Sequence, residues 1–191
     1  MEKQKWGGGA LLAPLPAVMV SCGSADHPNI ITVAWCGILS TQPPTTYISV
    51  RPKRYSYGII KESGEFVINL TPASLVRAAD YCGIYTGAKV DKFERCGLTA
   101  AESFETACPS IGESPLSIEC RVRQTVPLGS HYMFISDIVA IGVDPSLIDS
   151  AGKLHLERAG LCAFAHGEYY ALGQRIGNFG FSAKKPTKRR K

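Results

Sequence analysis

At 191 residues, with 45% hydrophobic and 19% charged side chains, the chain has the size and composition of one globular domain rather than of a disordered or fibrous protein, and a chain of this length buries about 70% of its unfolded surface. The net charge of +5 sits at one end: Lys184, Lys185, Lys188, Arg189, Arg190 and Lys191 supply six of the 21 basic groups, leaving 15 basic against 16 acidic groups in the rest. A neutral body argues against a nucleic-acid partner, and no apolar run reaches the ~18 residues of a membrane span.

Residues 1–14 read as an N-terminal extension. Two lysines in Glu2 to Lys5, an apolar Ala10 to Val20 and then Cys22 imitate a lipoprotein leader, but Pro14 and Pro16 would break the helix such a leader needs. Ala17 to Cys22, followed by a Gly-Ser-Ala-Asp-His-Pro turn, reads instead as a first strand. Further strands are expected over Asn29 to Cys36, Thr45 to Arg51, Glu65 to Leu70, Ser117 to Val126, His131 to Val143 and Leu161 to Ala165, a spacing that suits a barrel or sandwich. Ser56 to Ser63 reads as a helix stopped by Gly64. A second helix is expected over Ala73 to Cys82, with Thr71 as its N-cap and Pro72 at its first position. Asp91 to Ser114 looks loop-rich, Gly173 to Ser182 is a glycine-rich arm, and residues 183–191 read as a disordered basic tail. No repeat or linker divides residues 15–182, which form one mainly β domain with short helices.

The seven cysteines, Cys22, Cys36, Cys82, Cys96, Cys108, Cys120 and Cys162, are odd in number and contain no C-x-x-C. That pattern fits reduced thiols in the cytoplasm and supports neither a disulfide scaffold nor a disulfide reductase. Cys162, His166 and His155 lack a second nearby thiolate, so no metal site is expected.

Two stretches carry chemistry. Thr32 to Val50 places Trp35, Cys36, the small hydroxyl residues Ser40 and Thr41, and Pro43-Pro44 between strand-like runs, a composition suited to one wall of a pocket for a flat, hydrogen-bonding aromatic. Arg51-Pro-Lys-Arg-Tyr-Ser56 stands at the start of a helix, where free amides, Lys53 and Arg54 would favour a phosphate. Together they describe a mononucleotide such as FMN. Taken singly, each residue has a plainer role: Trp35 and Phe164 as core aromatics, Ser56 as a helix cap, Lys92 paired with Asp91 at the surface, Asn29 capping a turn, and His131 as a polar strand end.

Joined in order, the motifs are more specific. Asn29-x-x-Thr32-x-Ala34-Trp35, Pro43-Pro44, Arg54-x-Ser56-x-x-x-Ile60, Gly64-Glu65-Phe66-Val67-x-Asn69, Asp80-Tyr81-Cys82-Gly83, Val90-Asp91-Lys92-Phe93, Gly129-Ser130-His131 and Tyr170-x-x-Gly173-x-x-x-Gly177-x-Phe179-Gly180 run through nearly the whole chain. In this order they resemble the flavin reductase-like, FMN-binding split-barrel proteins, and among them the flavoredoxin group. The resemblance implies a homodimer of Greek-key split β-barrels with FMN near the subunit interface. It places Asn29 and Trp35 by the ring or ribityl chain, the segment Cys36 to Thr41 (with Ser40) along the ring edge, Arg54 and Ser56 on the phosphate, and Lys92 as a cation beside the flavin. Phe164 and His131 complete the pocket, His131 as the residue that meets the nicotinamide or balances a proton. The chain departs from the family pattern at Ser56, where Thr is common, and at Ser130, where Asp or Asn is.

The activity implied is an NAD(P)H-dependent flavin reductase passing hydride from nicotinamide to FMN N5. With no G-x-G-x-x-G after a strand, NADH or NADPH would bind only transiently against the flavin. The alternative is a flavoredoxin-type carrier that keeps its FMN and exchanges electrons with a protein partner. A third reading, a non-catalytic ligand-sensing module contacting partners through the basic tail, would be exposed by deleting Lys184 to Lys191.

Overall fold

A computed structural model describes residues 1–183; the basic residues Lys184 to Lys191 lie outside the described part. In chain order the elements are β1 (Leu15–Pro16), β2 (Val18–Gly23), β3 (Pro28–Val33), β4 (Cys36–Thr41), β5 (Pro44–Val50), α1 (Tyr55–Ser63), β6 (Glu65–Asn69), α2 (Val76–Ile84), α3 (Lys92–Cys96), β7 (Ala100–Ala101), β8 (Ser110–Ile111), β9 (Leu116–Pro127), β10 (Tyr132–Val143), β11 (Cys162–Ala165) and β12 (Glu168–Ala171).

Seven strands form one antiparallel sheet in the order β3-β2-β6-β9-β10-β5-β4. Its two edge strands, β3 and β4, are consecutive in the chain and joined only by Ala34 and Trp35. So short a link forces the sheet to curl until its edges nearly meet, and Ser49 N–H, donating to the Trp35 carbonyl at 2.8 Å, carries the β4–β5 ladder one residue further, up to that link. Register shifts in the long β9–β10 ladder, between Ile135 and Ser136 and between Ile138 and Ala140, supply the bend that this curling needs. The result is a barrel closed on one side and split on the other.

Successive side chains of a strand point to opposite faces, and β2 is buried on both. Val18, Val20 and Cys22 face the barrel core with Ile31, Val33, Ile48, Phe66, Ile68, Cys120 and Phe134. Met19, with Ile30 of β3, meets a second cluster of Ala79, Cys82, Phe93, Leu98 and Ile111 under α2 and α3. This explains why Ala17 to Cys22 is apolar on both faces rather than alternating, except at Ser21, whose buried Oγ accepts from Asn69 Nδ2 at 2.9 Å. The same two-sided burial anchors α2 and α3 against β3, which sets up the site described below.

The expected strands are found with small shifts at their ends, and Gly64 does stop α1, in the left-handed region at φ 70 with its N–H on the Ile60 carbonyl. Three expectations need correction. The strand expected over Asn29 to Cys36 ends at Val33, and Cys36 instead opens β4, an edge strand whose Gly, Ser and Thr content conceals it in sequence. Ile38 and Leu39 of β4 are exposed, so β4 shows no buried alternation, and its pairing with β5 defines it. Thr71 does not cap the helix: Pro72 stands before a 3-10 turn over Ala73–Leu75, and the buried Thr71 hydroxyl has no partner among the described residues. The segment Asp91 to Ser114 contains α3, capped by Asp91 Oδ1 accepting from Glu94 N–H at 3.0 Å and ended by Gly97, and the small β7–β8 hairpin.

Candidate functional site

The chain leaves β5 through Arg51 and enters α1 at Tyr55, bringing Arg51, Lys53 and Arg54 to the N-terminal end of that helix. Ser56 does not cap it. Its side chain turns inward, 2% exposed, and its Oγ accepts from Asn29 Nδ2 at 2.7 Å. Asn29 Oδ1 is buried without a partner among the described residues. The loop from α2 to α3 closes over this corner at Gly87, where a Cβ would fall 1.9 Å from Asn29 Oδ1.

Lys92 is the first residue of α3, and only 3% of it is exposed. Its Nζ donates to the carbonyls of Ile30 at 2.6 Å and Cys82 at 2.9 Å. An ammonium has three N–H groups, which leaves one to point elsewhere. Burial holds its pKa below the ordinary lysine value. It is not the surface partner of Asp91, which caps α3.

These groups surround a cavity of about 330 Å³ lined by Ile31, Arg51, Lys53, Arg54, Tyr55 and Ser56 on one side and Tyr85, Thr86, Gly87 and Lys92 on the other. Among the described residues four cationic side chains and no carboxylate line it, a combination suited to a phosphate dianion. Ile31, Arg51 and Arg54 also line a second hollow of about 350 Å³, with Thr32 to Trp35, Ser49, Val50 and His131. Thr32 and Ala34 continue into a third, of about 280 Å³, with Asp80, Gly83, Ile84, Phe164 and Tyr169. The three make one trough along β3 and Ala34-Trp35, cationic at one end and aromatic or apolar at the other.

Where the trough widens, Trp35 packs on His131 with ring centroids 4.4 Å apart and planes tilted by 49°. Trp35 is 40% exposed, so it is not a core aromatic. His131 is nearly buried. Its Nε2 accepts from Arg51 Nε at 3.4 Å, and its Nδ1 lies 2.8 Å from Ser130 Oγ. That network assigns the proton to Nδ1, since Arg51 can only donate. Desolvation and then Arg51 lower the His131 pKa, so the ring is neutral near pH 7.

Six of the ten sequence-proposed residues thus line the trough, Trp35, Arg54, Ser56, Lys92, His131 and Phe164, and a seventh, Asn29, lies buried behind Ser56. Three lie elsewhere. Cys36 packs against the barrel core, and burial pushes its thiol up to about 12. Ser40 and Thr41 pair with Thr45 and Pro44, at the end of β5 remote from Arg51. Sequence reasoning missed Tyr55, the Tyr85-Thr86-Gly87 turn, and Arg51 as a partner of His131. Gly87 is legible only once Asn29 stands beside it, because its need to be glycine is a matter of contact and not of backbone angle.

A family model, the flavin reductase like domain, matches residues 11–172. The chain belongs to this family. Among solved structures, it is similar to the flavoredoxin of Desulfovibrio vulgaris (Miyazaki F), at 34% identity and TM-score 0.88 over 96% of this chain and all of that one. A flavoredoxin from Methanosarcina acetivorans matches at 25% identity and TM-score 0.85, again over 96% of this chain and all of that one. Among curated relatives, the FMN reductase (NADH) RutF of Agrobacterium fabrum is 23% identical over 65% of this chain and 73% of its own. The curled seven-stranded sheet of this flavin reductase-like chain is the split β-barrel of the family. Its trough fits a phosphate-bearing flavin in chemistry: among the described residues, cations without carboxylates at one end, a largely apolar and aromatic wall with Asp80 at the other, and the buried, unpartnered Asn29 Oδ1 behind Ser56.

Proposed function

We propose that this chain binds FMN along the trough and acts as an NAD(P)H-dependent flavin reductase, working as a homodimer in the cytoplasm. The observation that carries the reading is the cluster of Arg51, Lys53, Arg54 and Lys92 around a carboxylate-free cavity that runs into the hollow beside Trp35. Bound FMN would supply the redox chemistry, taking two electrons from a reduced nicotinamide. The protein's part is to bind and orient. The four cations and Ser56 hold the phosphate, and Asn29 Oδ1 takes a donor from the chain that links phosphate to ring. Trp35 and Phe164 flank the ring.

Neutral His131, fixed between Arg51 and Ser130, stands at the open side and presents an uncharged face to an incoming nicotinamide. Its Nε2 is already engaged, so His131 positions the donor and does not act as a proton source. Exposed apolar groups on the C-terminal arm, Ile176 and Phe179, fit burial by a second copy.

The likeness to a flavoredoxin at 34% identity favours a second reading, a tightly held FMN that exchanges electrons with a protein partner. One experiment separates them. The protein is loaded with FMN, desalted and titrated anaerobically with NADH and with NADPH while its visible spectrum is followed. A retained spectrum that bleaches supports the reductase, and retention without bleaching supports the carrier. Failure to bind FMN at micromolar concentration would remove both.

A further inference from the structure

The sequence contains no C-x-x-C, yet the fold pairs two of its seven free thiols. Cys82 Sγ of α2 and Cys96 Sγ of α3 are 4.0 Å apart, in contact, although separated by 14 positions in the chain. They differ in environment. Cys82 is fully buried in the cluster under α2, while Cys96 is half-buried. Cys96 also lines an open groove of about 830 Å³ on the outer side of α2, with Arg77, Tyr81 and Arg95. Burial, and then the neighbouring Cys96, push the Cys82 thiol up to about 12. An oxidant arriving by the groove therefore reaches Cys96 first, and the second thiol waits behind it.

The chain between them matters as much as the pair. Tyr85, Thr86 and Gly87 lie between Cys82 and Cys96 and line the cationic cavity, as does Lys92, one helical turn before Cys96. The Cys82 carbonyl is one of the two acceptors holding Lys92 Nζ. The two thiols therefore stand at the ends of the segment that forms one wall of the phosphate end.

We propose that Cys82 and Cys96 form a reversible, peroxide-oxidised thiol pair whose disulfide staples the α2–α3 segment and with it the Lys92 wall of the cavity. In the first step the Cys96 sulfur attacks a hydroperoxide oxygen, the O–O bond breaks, and a sulfenic acid forms as water or an alcohol leaves. In the second, Cys82 sulfur attacks the Cys96 sulfur, the S–O bond breaks, and water leaves as the S–S bond forms. The balance is two thiols and one hydroperoxide to one disulfide, one alcohol or water, and one water. Closing from 4.0 Å to a bond length of about 2.05 Å falls on α3, a five-residue helix and the more easily displaced of the two. Flavin is not needed for the pair to close; the effect on the cavity rests on the FMN reading above.

The test treats the full-length protein, with and without FMN, with a modest excess of hydrogen peroxide, followed by alkylation, peptide mapping and thiol titration. Free thiols should fall from seven to five, with Cys82 and Cys96 in one linked peptide pair, and dithiothreitol should restore them. The Cys96→Ser variant should keep all its remaining thiols. A loop of this size should raise Tm by roughly 5–10 °C on closure, and a pre-organised wall should tighten FMN by roughly threefold or more. A bond mapped to other cysteines, a link between chains, or the same thiol loss in Cys96→Ser overturns the site. Equal FMN affinity in the oxidised and reduced proteins overturns the coupling to the cavity. Absence of FMN binding in both states, with the bond mapped as expected, overturns the flavin reading instead.

Discussion

The side-chain amide of Asn29, on β3, donates to Ser56 Oγ in the first turn of α1 at 2.7 Å, joining the trough's floor to its phosphate end. Both residues are buried, and the other amide atom, Oδ1, has no partner among the described residues. Leaving a buried acceptor unpaired costs about 1–3 kcal/mol, and under the proposed FMN reading a donor of the ligand would complete the network. Asn29→Ala removes the orphan and strands Ser56. The expected outcome is a small change in stability of the ligand-free protein, about 1 kcal/mol, and a loss of FMN affinity of about tenfold. Thermal unfolding with and without FMN checks both: the FMN-induced rise in Tm should shrink far more than the Tm of the apo protein.

The cations at the phosphate end act on a charge that riboflavin lacks. A hydrogen bond to a charged group contributes roughly 1.5–3 kcal/mol, or about 10–100-fold in affinity. Lys53→Ala with Arg54→Ala should weaken FMN by at least that much while riboflavin binding moves by less than about threefold, and added salt should reproduce part of the effect on FMN alone. Equal losses for both ligands in a fluorescence-quenching titration would move the ring, not the phosphate, to this end.

Two histidines should give the folded protein opposite responses to pH. Desolvation and Arg51 hold His131 below its ordinary value, so the unfolded chain binds the proton more readily. Its contribution is therefore complete above about pH 6.5 and is lost as pH falls from there toward the lowered folded value. His155 is bridged by Asp149 at 2.7 Å and Glu157 at 2.9 Å, which raise its pKa. That stabilisation is complete below about pH 6.5 and fades as pH rises through the raised folded value. In denaturant midpoints measured from pH 5 to 8, His131→Asn should flatten the acid limb and His155→Gln the alkaline limb.

How much of this was legible in sequence depends on the kind of signal. The strands with a buried face, such as Glu65–Asn69 and the long β9–β10 pair, announce themselves by apolar patterning. The Arg51 to Ser56 stretch announces a cationic helix start. The edge strand Cys36–Thr41 does not, because its pairing is backbone to backbone and its side chains are mostly exposed. For the same reason its small hydroxyl residues looked like a ring-edge loop, whereas Ser40 and Thr41 sit beside Thr45 and Pro44. Lys92 shows the opposite failure: next to Asp91 it resembles a surface charge, and only the packing of α3 against β3 reveals it as a buried ammonium on the Ile30 and Cys82 carbonyls. Contacts between residues distant in sequence leave no local trace, and the Cys82–Cys96 pair is another instance.

Gly87 offers the sharpest test of the trough's geometry. Its backbone does not lie in the left-handed region, so alanine there carries no conformational penalty and by itself would slightly stabilise the fold through the unfolded chain. The added Cβ, however, would stand 1.9 Å from Asn29 Oδ1 and 2.7 Å from its Cγ, and Asn29 is held by Ser56 and cannot simply swing aside. Gly58 is the control: it lies in α1 with nothing within 4 Å of a Cβ, so Gly58→Ala should stabilise by about 0.5–1 kcal/mol with FMN binding intact. Gly87→Ala should weaken FMN by an order of magnitude or so, because it displaces the amide that the ligand meets. Since both act through one side chain, the losses from Gly87→Ala and Asn29→Ala should fail to add, and the double variant should bind FMN about as well as the weaker single one. Strict additivity in that cycle would mean that Gly87 touches the ligand directly and that Asn29 is not the group through which the turn shapes the cavity.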